Sequence, residues 1–164
     1  MKGIVDFSTK ALASCFFLTY PIVAWARQRH WRYTGAGFVG TVAGLLTIKG
    51  LPMDHLRGGL VLLGAIGISV AISDHAEVLM GRKDDQRIVI DEWAGYLCSV
   101  VLLPHTPVVL VTAFVLFRVL DVTKPGWIGR SGKLPGGWGV VMDDVLAGVA
   151  VNLLLRLVLP FIPV

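Results

Sequence analysis

What most constrains this chain is an alternation of apolar runs with short loops that hold most of the charge. Apolar runs occupy residues 11–26, 34–48, 59–73, 93–117 and 145–164. Within hydrocarbon every backbone N–H and C=O must find its partner inside the protein, and a helix meets that demand locally. Only 16% of the residues are charged and 55% are hydrophobic, with a mean hydropathy of +0.73. That balance does not suit an ordinary soluble globule. The expected fold is all-α: a small polytopic membrane bundle, one domain over residues 1–164, with short or broken helices and a polar site at its cytoplasmic face.

The runs differ in ways that predict how they pack. The first is interrupted by Pro21, and at ~1.5 Å per residue it is marginal for a ~30 Å hydrocarbon core, so a kinked, short or interfacial helix is expected. Gly40 and Gly44 in the second form a G-x-x-x-G stripe that lets helices approach closely. Residues 93–117 are broken by Pro104-His105-Thr106-Pro107, which predicts a helical hairpin with its tip there. The hairpin brings Asp91-Glu92 and Arg118-Asp121 back to one face. Asp143-Asp144 stand at the entrance of the last run, on that same face.

Charge placement gives an independent handle on topology. Ten of fifteen Lys and Arg lie in loops 27–33, 76–91 and 118–144, which makes those loops cytoplasmic by the positive-inside tendency. Seven of eleven acidic residues accompany them: Asp84, Asp85, Asp91, Glu92, Asp121, Asp143 and Asp144. The net charge of +4 therefore reads as topology, and no nucleic-acid partner is expected. The arginines of RQRHWRY, interleaved with Trp31 and Tyr33, suit a headgroup-level belt. Cys15 and Cys98 sit inside apolar runs without paired spacing and read as packing residues. The N-terminal apolar segment lacks a convincing cleavage site and is expected to be retained.

The densest chemistry lies in residues 117–148, FRVLDVTKPGWIGRSGKLPGGWGVVMDDVLAG. Ionisable groups at the ends of apolar helices point to function. Carboxylates without clustered His or Cys suit Mg²⁺, which takes one or two of them and a substrate phosphate. Arg118 and Asp121 are three apart and share a helix face, so a carboxylate can hold the guanidinium while it meets a phosphate. Lys124 adds a positive charge just beyond. The turn Pro135-Gly136-Gly137-Trp138-Gly139 precedes a helix and could present backbone N–H groups to an anion, which makes Gly136 and Gly137 candidate phosphate ligands. Asp91 and Glu92 at a helix start are adequately explained one by one as complements to its dipole, and less so together with Asp84. Asp74-His75-Ala76-Glu77 reads mainly as decoration of an emerging helix end.

Three blocks, IVIDEWAG (88–95), FRVLDVTKP (117–125) and GGWGVVMDDVLAG (136–148), resemble the signature blocks of the phosphatidylglycerophosphatase A family in order and spacing. KDDQRIVIDE (83–92) resembles that family's K-D-P-x-x-x-V-x-D-E block, and Gly40-Thr41 in VGTVAGLL resembles its P-G-T-x-G-S-L block. The sequence departs from the pattern at Trp127 and Gly132, and at Val39, Ala43 and Gly44. The resemblance covers roughly residues 35–160. It implies a multi-pass enzyme of the bacterial inner membrane, its active site facing the cytoplasm. It further implies a Mg²⁺-dependent phosphatase that hydrolyses the phosphomonoester of phosphatidylglycerophosphate to phosphatidylglycerol and inorganic phosphate. The family's acidic positions fall on Asp84, Asp91, Glu92, Asp121, Asp143 and Asp144, as metal ligands, and its basic ones on Arg118 and Lys124, on the phosphate.

No Cys-x5-Arg or D-x-D-x-T/V nucleophile motif is present, so the expected mechanism is direct attack by a metal-activated water. Asp91, Glu92, Asp121, Asp143 and Asp144 would share metal ligation and water activation. A CDP-alcohol phosphotransferase would need a D-G-x-x-A-R run, and a histidine-nucleophile lipid phosphatase a P-S-G-H block; neither occurs. From another class, a non-catalytic or cation-transporting membrane protein could line an ion path with carboxylates. Such a path should carry charge near mid-span, whereas only Asn152 and Arg156 interrupt the last run, the latter within reach of snorkelling.

Overall fold

The computed structural model describes residues 2–31 and 34–161, and among these it contains helices and no strand. The helices are α1 (Lys2–Ala13), α2 (Thr19–Gln28), α3 (Gly37–Thr47), α4 (His55–Met80), α5 (Ile90–Val100), α6 (Pro107–Thr123), α7 (Gly126–Ser131) and α8 (Gly137–Val158), with 3-10 turns at Ile48–Gly50 and Leu159–Phe161. α4, and α8 with its terminal turn, are long and apolar enough to cross a membrane. The large side chains of α4 turn outward, among them Leu56, Leu60, Leu63, Ile68 and Val78. α5 is the opposite case: at 11 residues it reaches only about 16 Å, and nearly all of it is buried.

α5 is the axis of the bundle, packed by α3, α4, α6 and α8. Small residues make this possible. A Cβ on Gly148 of α8 would lie 2.1 Å from the Gly95 carbonyl oxygen of α5, and one on Gly95 would lie 2.7 Å from the Phe117 ring of α6. The G-x-x-x-G stripe of α3 works in the same way. A Cβ on Gly40 would meet the Val89 carbonyl at 2.1 Å, and one on Gly44 would meet Tyr96 Cδ1 at 2.9 Å. Tyr96, Phe117, Val100, Val109 and Val151 fill the core between these crossings.

The hairpin of α5 and α6 forms as the prolines require. Pro107 occupies the first turn of α6 and Thr106 caps it by accepting from the Val109 amide. Tyr96 ties the two arms together through its hydroxyl, which donates to the Leu110 carbonyl at 3.0 Å. At the tip, Asn152 Nδ2 of α8 donates to the Val101 and Ser99 carbonyls, and Arg156 donates to Val101 and Leu102. Arg156 thus serves the orphan carbonyls at the end of α5.

Two expectations about boundaries need correction. The first apolar run does break, but at Ser14–Leu18 and not at Pro21, which sits in the first turn of α2 where its missing N–H costs little. Cys15, Phe16 and Phe17 all adopt positive φ there. Residues 74–77 lie in the last two turns of α4, which runs on past the predicted apolar run to Met80 and is closed by Gly81 in the left-handed conformation. Of the aromatic belt, Trp31 meets Trp25 of α2 edge-on with ring centroids 5.0 Å apart, while Arg32 and Tyr33 lie outside the described residues. Both cysteines are free thiols, Cys98 buried and Cys15 half-buried.

Candidate active site

Antiparallel packing gathers five helix ends at one end of the bundle: the starts of α3, α5 and α8 and the ends of α4 and α6. Asp91 and Glu92 open α5, where their charge complements the N-terminal partial positive charge of the helix. Asp144 comes from the second turn of α8. One carboxylate oxygen of each of the three lies within 4.8 Å of the others. Asp91 and Asp144 are 7% and 1% exposed. Asp91 Oδ1, Glu92 Oε2 and both oxygens of Asp144 are buried without a hydrogen-bond partner. Buried anionic oxygens are normally paired, and leaving them so is costly unless something positive joins them.

The remaining charged groups are arranged around this triad. Arg118 Nη1 lies 2.7 Å from Asp121 Oδ2 and 3.8 Å from Glu92 Oε1, and donates to Thr41 Oγ1 at 3.3 Å. Lys124 Nζ is bonded to Asp143 Oδ2 and lies 3.8 Å from Asp121 and 4.0 Å from Asp144. Pro125 ends α6, so Lys124 leaves the helix in the left-handed region with φ 40°. Burial works against the charge on Lys124, but Asp144, Asp143 and Asp121 outweigh it and raise its pKa well above the ordinary lysine value.

An open cavity of ≈ 820 Å³ borders part of this set. Its walls include Asp91, Glu92, Arg118, Asp121 and Lys124, with Arg82, Asp84 and Gln86 from the loop before α5. That loop is held by Asp85, whose carboxylate accepts from Arg87 Nε at 2.7 Å and Nη2 at 3.0 Å and from Arg27 at 3.4 Å. Thr19 adds a bond to the Arg87 carbonyl, and the Val89 amide donates to Ala13. Burial of Asp85 pushes its pKa up, yet the Arg87 bonds and the charge of Arg27 prevail and hold it below the usual carboxylate value.

The predicted residues therefore separate into groups. Asp91, Glu92 and Asp144 converge with free oxygens. Asp121 and Asp143 stand beside them but are engaged by Arg118 and Lys124. Asp84, expected among the metal ligands, is exposed on the cavity wall and not part of the triad, since its loop leaves α4 through Gly81 and its amide is held by Glu77 Oε1 at 2.6 Å. Gly136 and Gly137, expected on the phosphate, stand apart from the cavity. The Gly137 amide donates to Asp74 Oδ1 at 3.0 Å, a Cβ on Gly136 would lie 2.1 Å from that same oxygen, and neither glycine lines the cavity. The N-terminus of α8 is capped by α4. Asp74, one of the residues read as helix-end decoration, is thus a long-range cap.

Sequence reasoning passed over Gly37. A Cβ there would fall 1.9 Å from Glu92 Oε1 and 2.9 Å from Arg118 Nη1, so the first turn of α3 forms part of the site wall. Its only trace in the sequence is the cluster of glycines opening that run.

Comparison with known proteins gives the family. The family described as Phosphatidylglycerophosphatase A matches residues 14–159. The chain belongs to that family. The Phosphatidylglycerophosphatase A of Haemophilus influenzae is 32% identical over 120 residues, covering 71% of each chain. That of Escherichia coli is 37% identical over 94 residues, 55% of this chain and 54% of the relative. A Bacteroides thetaiotaomicron protein named as a candidate phosphatidylinositol-3-phosphatase is 39% identical over 70 residues, 41% of this chain and 44% of the relative. The matches thus span about half the length of two of these family relatives. No solved structure matches the chain.

Proposed function

We propose that this protein is a membrane-embedded phosphatase that releases inorganic phosphate from phosphatidylglycerophosphate, leaving phosphatidylglycerol, with its cavity opening at the cytoplasmic face of a bacterial inner membrane. The observation that carries the reading is the convergence of Asp91, Glu92 and Asp144. Four buried oxygens without a hydrogen bond lie beside two fixed cations, and Asp91, Glu92 and both cations line an open cavity, with Asp144 behind them. The names of the Escherichia coli and Haemophilus influenzae relatives supply the substrate. The outward apolar surface of α4 and the basic loops at the site end support the membrane setting and its orientation.

The three carboxylates fit a hard divalent cation: all donors are oxygen, their free atoms are clustered, and only the longer ion pairs of Glu92 with Arg118 and Asp144 with Lys124, among the described residues, offset their charge. Asp91, Glu92 and Asp144 would hold it. Bound there, Mg²⁺ would supply positive charge to the phosphate and make nearby water more acidic. The chain's own groups do the rest. Arg118 and Lys124, anchored by Asp121 and Asp143, face the cavity and take up the charge of the phosphomonoester. A triad oxygen that remains free accepts a proton from the attacking water. The new P–O bond forms as the bond to the glycerol oxygen breaks, and that oxygen leaves with its electron pair and is protonated from the open cavity. Lys124 stabilises this charge by its proximity to the cavity.

The test is phosphate release by purified protein in detergent micelles containing phosphatidylglycerophosphate. Turnover with Mg²⁺, loss on chelation and recovery on adding Mg²⁺ back are expected. Absence of release under all three conditions overturns the reading, and release only from phosphatidylinositol 3-phosphate reassigns the substrate.

A further inference from the structure

Thr41 lies one turn after Gly37 on α3 and is fully buried. Its hydroxyl donates to the Gly37 carbonyl at 3.0 Å and accepts from Arg118 Nη1 at 3.3 Å. A hydroxyl has one proton and two lone pairs. The back-bond to residue i−4 uses the proton, so only acceptor capacity is left to face Arg118. That nitrogen also reaches Asp121 Oδ2 at 2.7 Å and Glu92 Oε1 at 3.8 Å. Acceptors from α3, α5 and α6 therefore meet at one nitrogen of the guanidinium. Among the described residues, Nε and Nη2 of Arg118 make no hydrogen bond within the chain, and Arg118 lines the cavity.

We propose that Thr41 is a positioning residue for the phosphate: by accepting from Arg118 Nη1 it sets the plane of the guanidinium so that the remaining N–H groups point into the cavity. The proposal rests on the reading of that cavity as a phosphate site. A neutral acceptor is suited to the task. Two carboxylates already draw Arg118 toward the acidic cluster, and a third would repel the substrate anion as strongly as it held the arginine. A hydroxyl fixes orientation and leaves the positive charge available to the phosphate. A role in packing alone would not need the hydroxyl, because its only other partner among the described residues is a carbonyl already bonded along the helix.

Thr41→Val and Thr41→Ser separate the two roles. Valine keeps the shape and loses the acceptor; serine keeps the acceptor and loses a buried methyl. Binding of inorganic phosphate to the purified protein, measured by calorimetry in the presence of Mg²⁺, is expected to weaken roughly tenfold in Thr41→Val, the scale of one hydrogen bond to a charged group. Thr41→Ser should stay within about twofold of wild type. In turnover the valine variant should raise KM more than it lowers kcat. On an Arg118→Gln background, Thr41→Val should add no further loss. The opposite ranking, with serine impaired and valine normal, overturns the proposal in favour of packing. Wild-type protein that binds phosphate while both variants bind it equally well overturns the proposal alone. Wild-type protein that neither binds nor releases phosphate overturns the reading beneath it.

Discussion

Gly37→Ala should impair the chemistry of this protein without unfolding it. Position 37 opens α3, and the added methyl would be built 1.9 Å from Glu92 Oε1, where ordinary contact begins at 3.4 Å. The carboxylate must therefore retreat by about 1.5 Å (3.4 minus 1.9). That oxygen is the far end of a flexible side chain, so the retreat takes a rotation about side-chain bonds and leaves the backbone in place. Within the site the same displacement is large. A shift of ~1 Å in a group that orients a reacting centre costs on the order of 100-fold in rate, and Glu92 belongs to the triad and also neighbours Arg118. Phosphate release from phosphatidylglycerophosphate should thus fall about 100-fold, while the thermal transition in detergent stays close to that of wild type. Gly67→Ala, whose Cβ would meet nothing within 4 Å, is the control and should be indistinguishable from wild type in rate. Turnover by Gly37→Ala within about threefold of wild type, well short of that 100-fold scale, would refute the placement of Glu92 in the reacting centre.

Other perturbations test separate parts of the arrangement. Asp144→Asn should abolish hydrolysis and Mn²⁺ binding, whereas Asp143→Asn, which loses only the anchor of Lys124, should keep Mn²⁺ affinity within about threefold and weaken phosphate binding instead, since a lost charge-assisted bond acts mainly on its own partner; titration calorimetry reads both. Asp85 is held below its ordinary pKa of 3.8 by Arg87 and Arg27, so its contribution is complete above that value and is lost as pH falls through the lower folded value. Amides around Val89 should then exchange faster below about pH 4, the unfolded carboxylate range, and Asp85→Asn should exchange fast at every pH. Asn152→Leu strips partners from the Val101 and Ser99 carbonyls and frees Arg156, and should lower stability by about 1–3 kcal/mol with little change in KM; an unchanged denaturation midpoint would count against the cap at the hairpin tip.

Much of this architecture could be read from the chain directly, because helical periodicity, proline and charge act locally. Pro104 and Pro107 cannot lie inside a continuous helix, so the hairpin followed, and with it the return of Asp91-Glu92 and Arg118-Asp121 to one end. Glycine spacing in residues 34–48 announced a close crossing, and Gly40 does abut Val89. Pro21 misled because proline is permitted in a first turn as well as at a break, and only packing of α2 against the loop before α5 distinguishes the two.

The roles of the site residues were not legible in the same way. Sequence spacing brought five carboxylates, an arginine and a lysine to one end of the bundle but could not say which would pair. That depends on distances of a few ångströms between α3, α5, α6 and α8. Tertiary packing directs Arg118 and Lys124 most closely to Asp121 and Asp143, and leaves oxygens of Asp91, Glu92 and Asp144 without a hydrogen bond. It also takes the Gly136-Gly137 turn for Asp74, 63 residues away in sequence, and presses Gly37 against Glu92. Composition and local stereochemistry determine which helices form and which ends carry charge. Which charge is neutralised, and which is left for a ligand, is decided only when the helices meet, because Coulombic pairing falls with distance in space and takes no account of distance along the chain.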